Sequence, residues 1–399
     1  MAAGPPRIGR LDHALNIADL RVLAKKRIPR FAFSYIDGGA DDEITLAHNR
    51  DVFRHIRMIP RQLRDVSRID TSTRFLGRAV ERPFAICPTG YNGMLTHEGD
   101  LKLARAARRF GIPFIQSTMS TSSIEEVALA IQGGDHWFQL YVLKDPAIST
   151  RLMQRARDAG CSTLVVTTDA VILGNREGDR RNYARPQQLN WGGNLDVLMH
   201  PRWIMDVLIP HGIPVFGNLT EFLPRSEWSA RDGARFISGQ MQTALDWNQL
   251  ERLRCEWTGK FVVKGLLHHD DVARAVAIGA DGVVLSNHGG RQLDGAVHPL
   301  EQLAAVMDSI GDDCDLFVDS GFRRGSDIVK ALGLGAKGAF VGRAALFGLA
   351  ASGQEGAERA LGMISDELAA CMGQLGCGSL EDLQPQMMVW HPPFRSAGG

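Results

Sequence analysis

Two stretches of this 399-residue chain carry residue types whose spacing points to chemistry. The first is SNHGGRQLD, residues 286–294, with His288 and Arg291 three positions apart. A histidine moves a proton near neutral pH. An arginine holds a carboxylate through two parallel hydrogen bonds. Together they suggest proton removal beside a carboxylate. Arg176, in GNREGD, is a candidate second clamp, although its position alone fits an exposed loop charge equally well. The second stretch is DSGFRRGSD, residues 319–327, read together with GAFVGRA, residues 338–344. Glycines let backbone N–H groups approach an anion, and a helix beginning near Gly325 adds its N-terminal dipole. Arg323 and Arg343 add charge. This predicts a bound phosphate, carried by a cofactor or a substrate. Tight turns with surface arginines are the blander alternative.

These residues need a frame. The chain repeats a unit of apolar run, polar turn and helix-like stretch eight times. The expected strands are 83–87, 112–116, 137–142, 163–167, 261–264, 282–286, 316–319 and 338–341. The helices that follow are expected at 99–110, 123–131, 146–159, 246–256, 270–278, 300–309, 326–332 and 355–372. The runs are nearly all apolar, as strands covered on both faces must be. Eight such alternations imply a single-domain α/β protein over 1–399, a closed TIM (β/α)8 barrel with its core at about 80–376. An open parallel sheet is the alternative. Residues 12–75 precede the barrel and read as helical at 15–26, then irregular. A long insertion, about 170–243, interrupts the fourth unit. Loops of this length are lids, interfaces or disordered segments.

In such barrels the site lies at the C-terminal ends of the strands. Polar residues stand there in nearly every unit: Thr89; Ser117; Gln139 and Tyr141; Thr167 and Asp169; Lys264; Ser286, Asn287 and His288, with Arg291 just beyond; Asp319 and Arg323; and Arg343 beside Gly342. One histidine or lysine at a strand end is usually a solvated or structurally bonded residue. Convergence of eight loops on one rim is the stronger signal.

Composition excludes other classes. Hydrophobic residues make up 44%, charged residues 23%, and the formal net charge is +0. Nothing favours nucleic acid or an anionic membrane through bulk charge. The six cysteines form no CxxC pair, so no metal site or disulfide framework is expected. No signal-like apolar stretch opens the chain, and no run of about 18 uncharged apolar residues occurs. A cytoplasmic location is the expectation, with residues 1–10 and the tail from about Gln384 loosely held.

The motifs SNHGGRQLD, DSGFRRGSDIVKALGLGA, VGRA, WFQLYV, VVTTD and VVKG stand in one order. In this the chain, from about Asn16 to about Gly376, resembles the FMN-dependent 2-hydroxy-acid dehydrogenases and oxidases. PTGYNG, HNRDVF and HPRW are most similar to the mandelate dehydrogenases of that family. The resemblance implies oxidation of an (S)-2-hydroxy acid to a 2-oxo acid with FMN as cofactor. His288 would be the base and Asp169 its partner. Arg291 and Arg176 would hold the substrate carboxylate, with Tyr141 at its oxygen atoms. Lys264 would stand near the flavin N1–C2 edge. Pro88, Thr89, Gly90, Ser117, Gln139, Thr167 and Ser286 would line the flavin. Asp319, Gly321, Arg323, Gly342 and Arg343 would take its ribityl chain and phosphate.

The resemblance also implies a homotetramer. The electron acceptor would be a quinone, a carrier or O2. Peripheral attachment at the inner face of a membrane would run through the insertion, which contains Trp191, Trp203, Ile204, Met205, Val207, Leu208 and Ile209. One departure is expected to matter: Phe33 stands at a position read as the family's substrate-binding tyrosine, leaving Tyr35 to a packing role. Gly90 and Met119 are expected to widen the pocket for a bulky acid. The alternatives are an O2-using oxidase, a flavin-binding sensor with little catalysis, and a sugar-phosphate isomerase.

Overall fold

The computed structural model describes residues 10–391 apart from 186–187, 229 and 312. Three helices come first: α1 Ile17–Arg27, α2 Arg30–Asp37 and α3 Ile44–Asp51. Eight strands follow: β1 Phe84–Ile86, β2 Phe114–Ser117, β3 His136–Tyr141, β4 Thr163–Thr167, β5 Lys260–Leu266, β6 Gly282–Leu285, β7 Asp315–Val318 and β8 Gly338–Val341. They form a closed barrel. Closure is the parallel pairing of β8 with β1, Val341 opposite Ile86. The barrel is therefore the expected one, and the open sheet is excluded.

Helices α4 Gly99–Arg109, α5 Ile124–Ala130 and α6 Pro146–Asp158 follow the first three strands. The insertion carries α7 Trp191–Leu198, a helical run over 201–211 with a π-turn at Ile204–Leu208, and α8 Ala230–Gln240. The outer ring continues with α9 Trp247–Glu256, α10 His269–Ala277, α11 Pro299–Ile310, α12 Gly325–Gly333 and α13 Arg343–Leu375. Local chemistry starts these helices. Ser123 caps α5 by accepting from the Glu126 N–H, and Glu126 accepts in return from the Ser123 N–H. Asp246 caps α9 through the Gln249 N–H at 2.8 Å.

Strand alternation divides the core. Ala85, Ile115, Trp137, Val165, Val262, Val284, Phe317 and Phe340 form one cluster inside the barrel. Their sequence neighbours, such as Phe84, Phe114, Phe138, Val166 and Phe261, pack outward against the helices. A hairpin, Thr73–Phe75 with Arg78–Val80, adds Phe75, Leu76 and Val80 to the inner cluster. Phe75 meets Phe317 at a centroid distance of 4.9 Å. Truncating a ring so enclosed, as in Phe317→Ala, costs about 3–5 kcal/mol.

Three expectations need correction. Residues 30–37 and 44–51 are helical rather than irregular; α2 and α3 have eight residues each, too few to show a clear period, and packing holds them. The last helix begins at Arg343, not near residue 355, with a kink at Ser352 and Gly353. The chain from Gln384 to Trp390 is held down, because Met388–Trp390 pairs with Ile56–Met58. Residues 1–9 and 392–399 lie outside the described residues.

Candidate active site

The strand ends open on a cavity of about 920 Å3. Its floor is polar. Lys264, at the end of β5, is 2% exposed and lies 2.8 Å from Asp319, which follows β7. Lys264 also donates to Ser286 Oγ at 2.9 Å. Burial alone would depress the Lys264 ammonium, but the charges around it, Asp319 foremost, raise it above the ordinary range. Burial pushes the Asp319 carboxyl up; Lys264 overrides that and holds it low. The pair is therefore charged on both sides at neutral pH.

The same Ser286 hydroxyl accepts from the His288 N–H at 2.9 Å. That bond helps hold the backbone of His288 in the left-handed region, φ 56°. The ring then meets Asp169, Nδ1 to Oδ1, at 2.9 Å. Burial lowers the His288 pKa, and Asp169 offsets part of that. The second carboxylate oxygen, Asp169 Oδ2, is buried without a hydrogen-bond partner.

Four arginines crowd the rim. Arg291 donates to the carbonyls of Tyr35 and Gly38 at 2.6 and 3.1 Å. Arg343 donates to those of Ile36, Gly289 and Gly38 at 2.7–2.9 Å. Arg323 donates to Phe322 O at 2.8 Å and lies 5.5 Å from the centre of the Phe347 ring. All three guanidiniums are pushed down to about 9. Burial is the main cause, followed by a neighbouring guanidinium: Arg176 at Arg291, Arg50 at Arg323, and Arg323 at Arg343. Arg176 Nε is buried without a partner. Cations that repel one another in a low-dielectric cleft call for anions. A phosphate and a carboxylate would fit them.

Of the residues singled out from the sequence, Pro88, Thr89, Gly90, Ser117, Tyr141, Arg176, Lys264, His288 and Arg291 line the cavity. So do Asp319, Gly321, Arg323, Gly342 and Arg343. Four lie one layer behind. Gln139 accepts from Ser117 Oγ and donates to Thr167 Oγ1, both at 3.0 Å. Ser286 and Asp169 support the cavity groups through the contacts above. The Tyr141 phenol is raised to about 12, chiefly by burial and then by Asp169.

Phe33 is not a site residue. It is 6% exposed, stacks on Phe347 at 6.4 Å, and is absent from the cavity wall. Tyr35 is the wall residue; its hydroxyl lies 3.3 Å from Gly90 O, and Arg291 lies 5.0 Å from its ring centre. No tyrosine hydroxyl is missing, which removes the ground for expecting altered chemistry. Gly90 does make room, but for Met119: a Cβ on Gly90 would stand 2.7 Å from Met119 Cβ.

Sequence reasoning also missed Tyr91, Phe216, Met241 and Asp179, all on the wall. Tyr91 and Phe216 pack at 5.0 Å and, with Met119 and Met241, give the same cavity an apolar lining beside its arginines. The apolar content of the insertion was the one available signal for Phe216 and Met241.

The insertion is two-faced. Inward, Trp203 donates to Met94 O at 2.8 Å, and Asp206 takes Arg27 at 3.1 Å and Thr96 Oγ1 at 2.7 Å. Outward, Trp191, Met199, Met205 and Ile209 are between 57% and 82% exposed. None of the helices among the described residues is long and apolar enough to cross a membrane.

Comparison with known proteins agrees with this geometry. The model of the FMN-dependent dehydrogenase family matches residues 24–390. The (S)-mandelate dehydrogenase of Pseudomonas putida is 44% identical over 378 residues, 94% of this chain and 94% of that protein. The L-lactate dehydrogenase of Alcaligenes faecalis is 38% identical over 94% of this chain and 98% of its own. Among solved structures, that of the monotopic membrane protein (S)-mandelate dehydrogenase superposes with a TM-score of 0.90 at 43% identity, covering 95% of this chain and 100% of the other. A mandelate oxidase structure with (S)-2-phenylpropionate gives 0.78 at 34% identity, covering 94% and 98%. With its barrel, its phosphate-ready arginines and a match over nearly its whole length, the chain belongs to the FMN-dependent dehydrogenase family.

Proposed function

We propose that this protein oxidises an aryl (S)-2-hydroxy acid, mandelate or a close analogue, to its 2-oxo acid. The observation that carries this reading is the lining of one cavity. His288, held by Asp169, and Arg176 and Arg291 line the same cavity as the apolar side chains of Tyr91, Met119, Phe216 and Met241. The arginines take the carboxylate, and the apolar wall takes the ring. The similarity to mandelate dehydrogenase supports the same substrate class.

FMN, when bound, accepts the two electrons that the hydroxy acid gives up. Arg323 and Arg343 would hold its phosphate, with Gly321 and Gly342 giving the backbone close approach. Arg291 and Arg176 hold the substrate carboxylate and so fix the reacting carbon. With Nδ1 engaged by Asp169, Nε2 of His288 takes one of the two departing hydrogens as a proton. Asp169 then stabilises the imidazolium, as a buried carboxylate does beside a charged histidine. Tyr141 steadies the substrate oxygen. The Lys264 ammonium, charged beside Asp319, would offset negative charge on FMN when that group is reduced.

The exposed apolar face of the insertion, with its inward face pinned, supports peripheral binding to the cytoplasmic side of a membrane. A quinone reached there is the acceptor this reading favours. A homo-oligomer, tetrameric as the family resemblance implies, completes it; light scattering checks the mass.

The test is anaerobic spectrophotometry of the yellow holoprotein with (S)-mandelate, lactate and glycolate in turn. Rapid bleaching by (S)-mandelate and slower bleaching by the others is expected. Readmitted air should recolour the protein slowly; recolouring within one turnover would select an O2-using oxidase. A yellow protein that no hydroxy acid bleaches would sink the reading in favour of a flavin-binding protein with little catalysis.

A further inference from the structure

We propose that Asn49 and Arg50, neighbours on α3, are positioning residues that hold the proton-handling loop and the phosphate loop from outside the barrel. This rests on the roles given above to His288 and Arg323.

Asn49 faces the loop after β6. It is 1% exposed, and its partner Asn287 is 5% exposed. The two amides bond reciprocally, at 2.9 Å from Asn49 Nδ2 to Asn287 Oδ1 and 2.7 Å in the other direction. Asn287 Oδ1 also accepts from the Gly290 N–H at 3.1 Å. His288, in its left-handed conformation, lies inside that closed turn. Two more bonds from α3 hold the same loop: Thr45 Oγ1 accepts from the Ala296 N–H at 3.1 Å, and Asp294 accepts from the Thr45 N–H at 2.7 Å. A buried amide pair is rigid because breaking it leaves polar groups unsatisfied in a dry site.

Arg50 faces the loop after β7. Its guanidinium donates to Gly321 O and pairs with Asp327 at 3.0 Å. The same Asp327 oxygen accepts from the Arg323 and Arg324 N–H groups at 2.9 and 3.0 Å. Arg50 thus closes a ring around the backbone that presents Arg323. One turn of α3 touches both loops, and neither residue lines the cavity. A generic structural role would loosen both loops together. Two separate attachments predict that the two functions come apart.

The experiment compares wild type with Asn49→Ala, Thr45→Val and Arg50→Ala, each as holoprotein. Two quantities are read: the anaerobic rate of flavin bleaching by saturating (S)-mandelate, and FMN release on dilution, followed by the fluorescence of free FMN. Asn49→Ala should slow bleaching by about tenfold or more, since small misplacement of a base is costly, with FMN affinity nearly unchanged. Thr45→Val should do the same more weakly; it conserves volume and carries the test if Asn49→Ala does not fold. Arg50→Ala should weaken FMN by about tenfold, the loss of one charge-assisted contact network. Its bleaching rate with FMN in excess should stay near that of wild type. Parallel loss of both quantities in every variant, or no loss in either loop-specific quantity, overturns the proposal. A wild-type holoprotein that no hydroxy acid bleaches overturns the site reading itself, and this inference with it.

Discussion

Asp169 and His288, 119 positions apart in the chain, meet at 2.9 Å, and the carboxylate holds Nδ1. The imidazole pKa is the balance of burial, which lowers it, and Asp169, which raises it; burial wins. A histidine with a lowered pKa is neutral, and able to accept a proton, down to a pH below its ordinary 6.5. Activity should therefore rise with pH through the lowered pKa and be on its plateau above about 6.5. With Asp169→Asn the charge that raises the pKa is gone, so the acid limb should move to lower pH. The plateau itself should fall by roughly 10²–10⁴-fold, because the imidazolium loses its counter-charge. A pH profile of kcat/KM checks both shifts; an unmoved limb would mean that another group titrates.

Gly265, in the bulge at the end of β5, has φ 107° and leaves no room for a side chain. A Cβ there would lie 2.6 Å from Asp169 Cγ. Gly265→Ala should push Asp169 away from His288 as well as strain the backbone. The expected result is a drop in bleaching rate of about 10²-fold with FMN retained. Normal kinetics would show that Asp169 can shift without cost.

Lys264 and Asp319 are buried as a charged pair at 2.8 Å. Lys264→Met removes the cation and leaves Asp319 uncompensated, a change of about 3–5 kcal/mol in buried pairs. The flavin should become harder to reduce, with its midpoint potential lower by on the order of 30–60 mV. Anaerobic dye equilibration measures this. A potential unchanged or raised would remove Lys264 from the electrostatic role.

Tyr35 and Phe33 trade the roles that their order in the chain suggests. Tyr35→Phe removes the hydroxyl beside Gly90 and should raise KM for (S)-mandelate by roughly 3–10-fold, the value of one hydrogen bond. Phe33→Tyr adds a hydroxyl to a buried ring that stacks on Phe347. It should lower thermal stability by about 1–3 kcal/mol and leave KM alone. Steady-state kinetics and thermal melts of the two variants separate these outcomes.

The outward face of the insertion predicts a clean separation of binding from catalysis. Met205→Glu with Ile209→Glu places charges on exposed apolar positions, away from the pinned inner face. Cosedimentation with vesicles of bacterial lipid should be lost, while anaerobic bleaching by (S)-mandelate stays unchanged. Equal cosedimentation of both proteins would take the insertion out of membrane binding.

Much of this molecule was legible in the chain. Runs such as Thr163–Thr167 and Gly338–Val341 are strands buried on both faces, so their apolar character shows without any partner. SNHGGRQLD and DSGFRRGSD were legible because chemistry requires those residue types at those spacings. Other features depended on packing alone. Phe33 and Tyr35 sit two positions apart on one short helix, about 200° around its axis, so the seat of α2 against α13 decides which ring reaches the cavity. Asn49 and Asn287 are 238 residues apart, and neither has a local pattern that announces the other. The division of the insertion into a pinned and an exposed face is of the same kind. Trp203 and Asp206 face inward while Met205 and Ile209 face outward, because the inner side meets Met94, Thr96 and Arg27. Periodicity and residue type are properties of neighbours along the chain; which groups meet across a barrel rim is set by closure and helix docking, which bring together residues that share no local sequence.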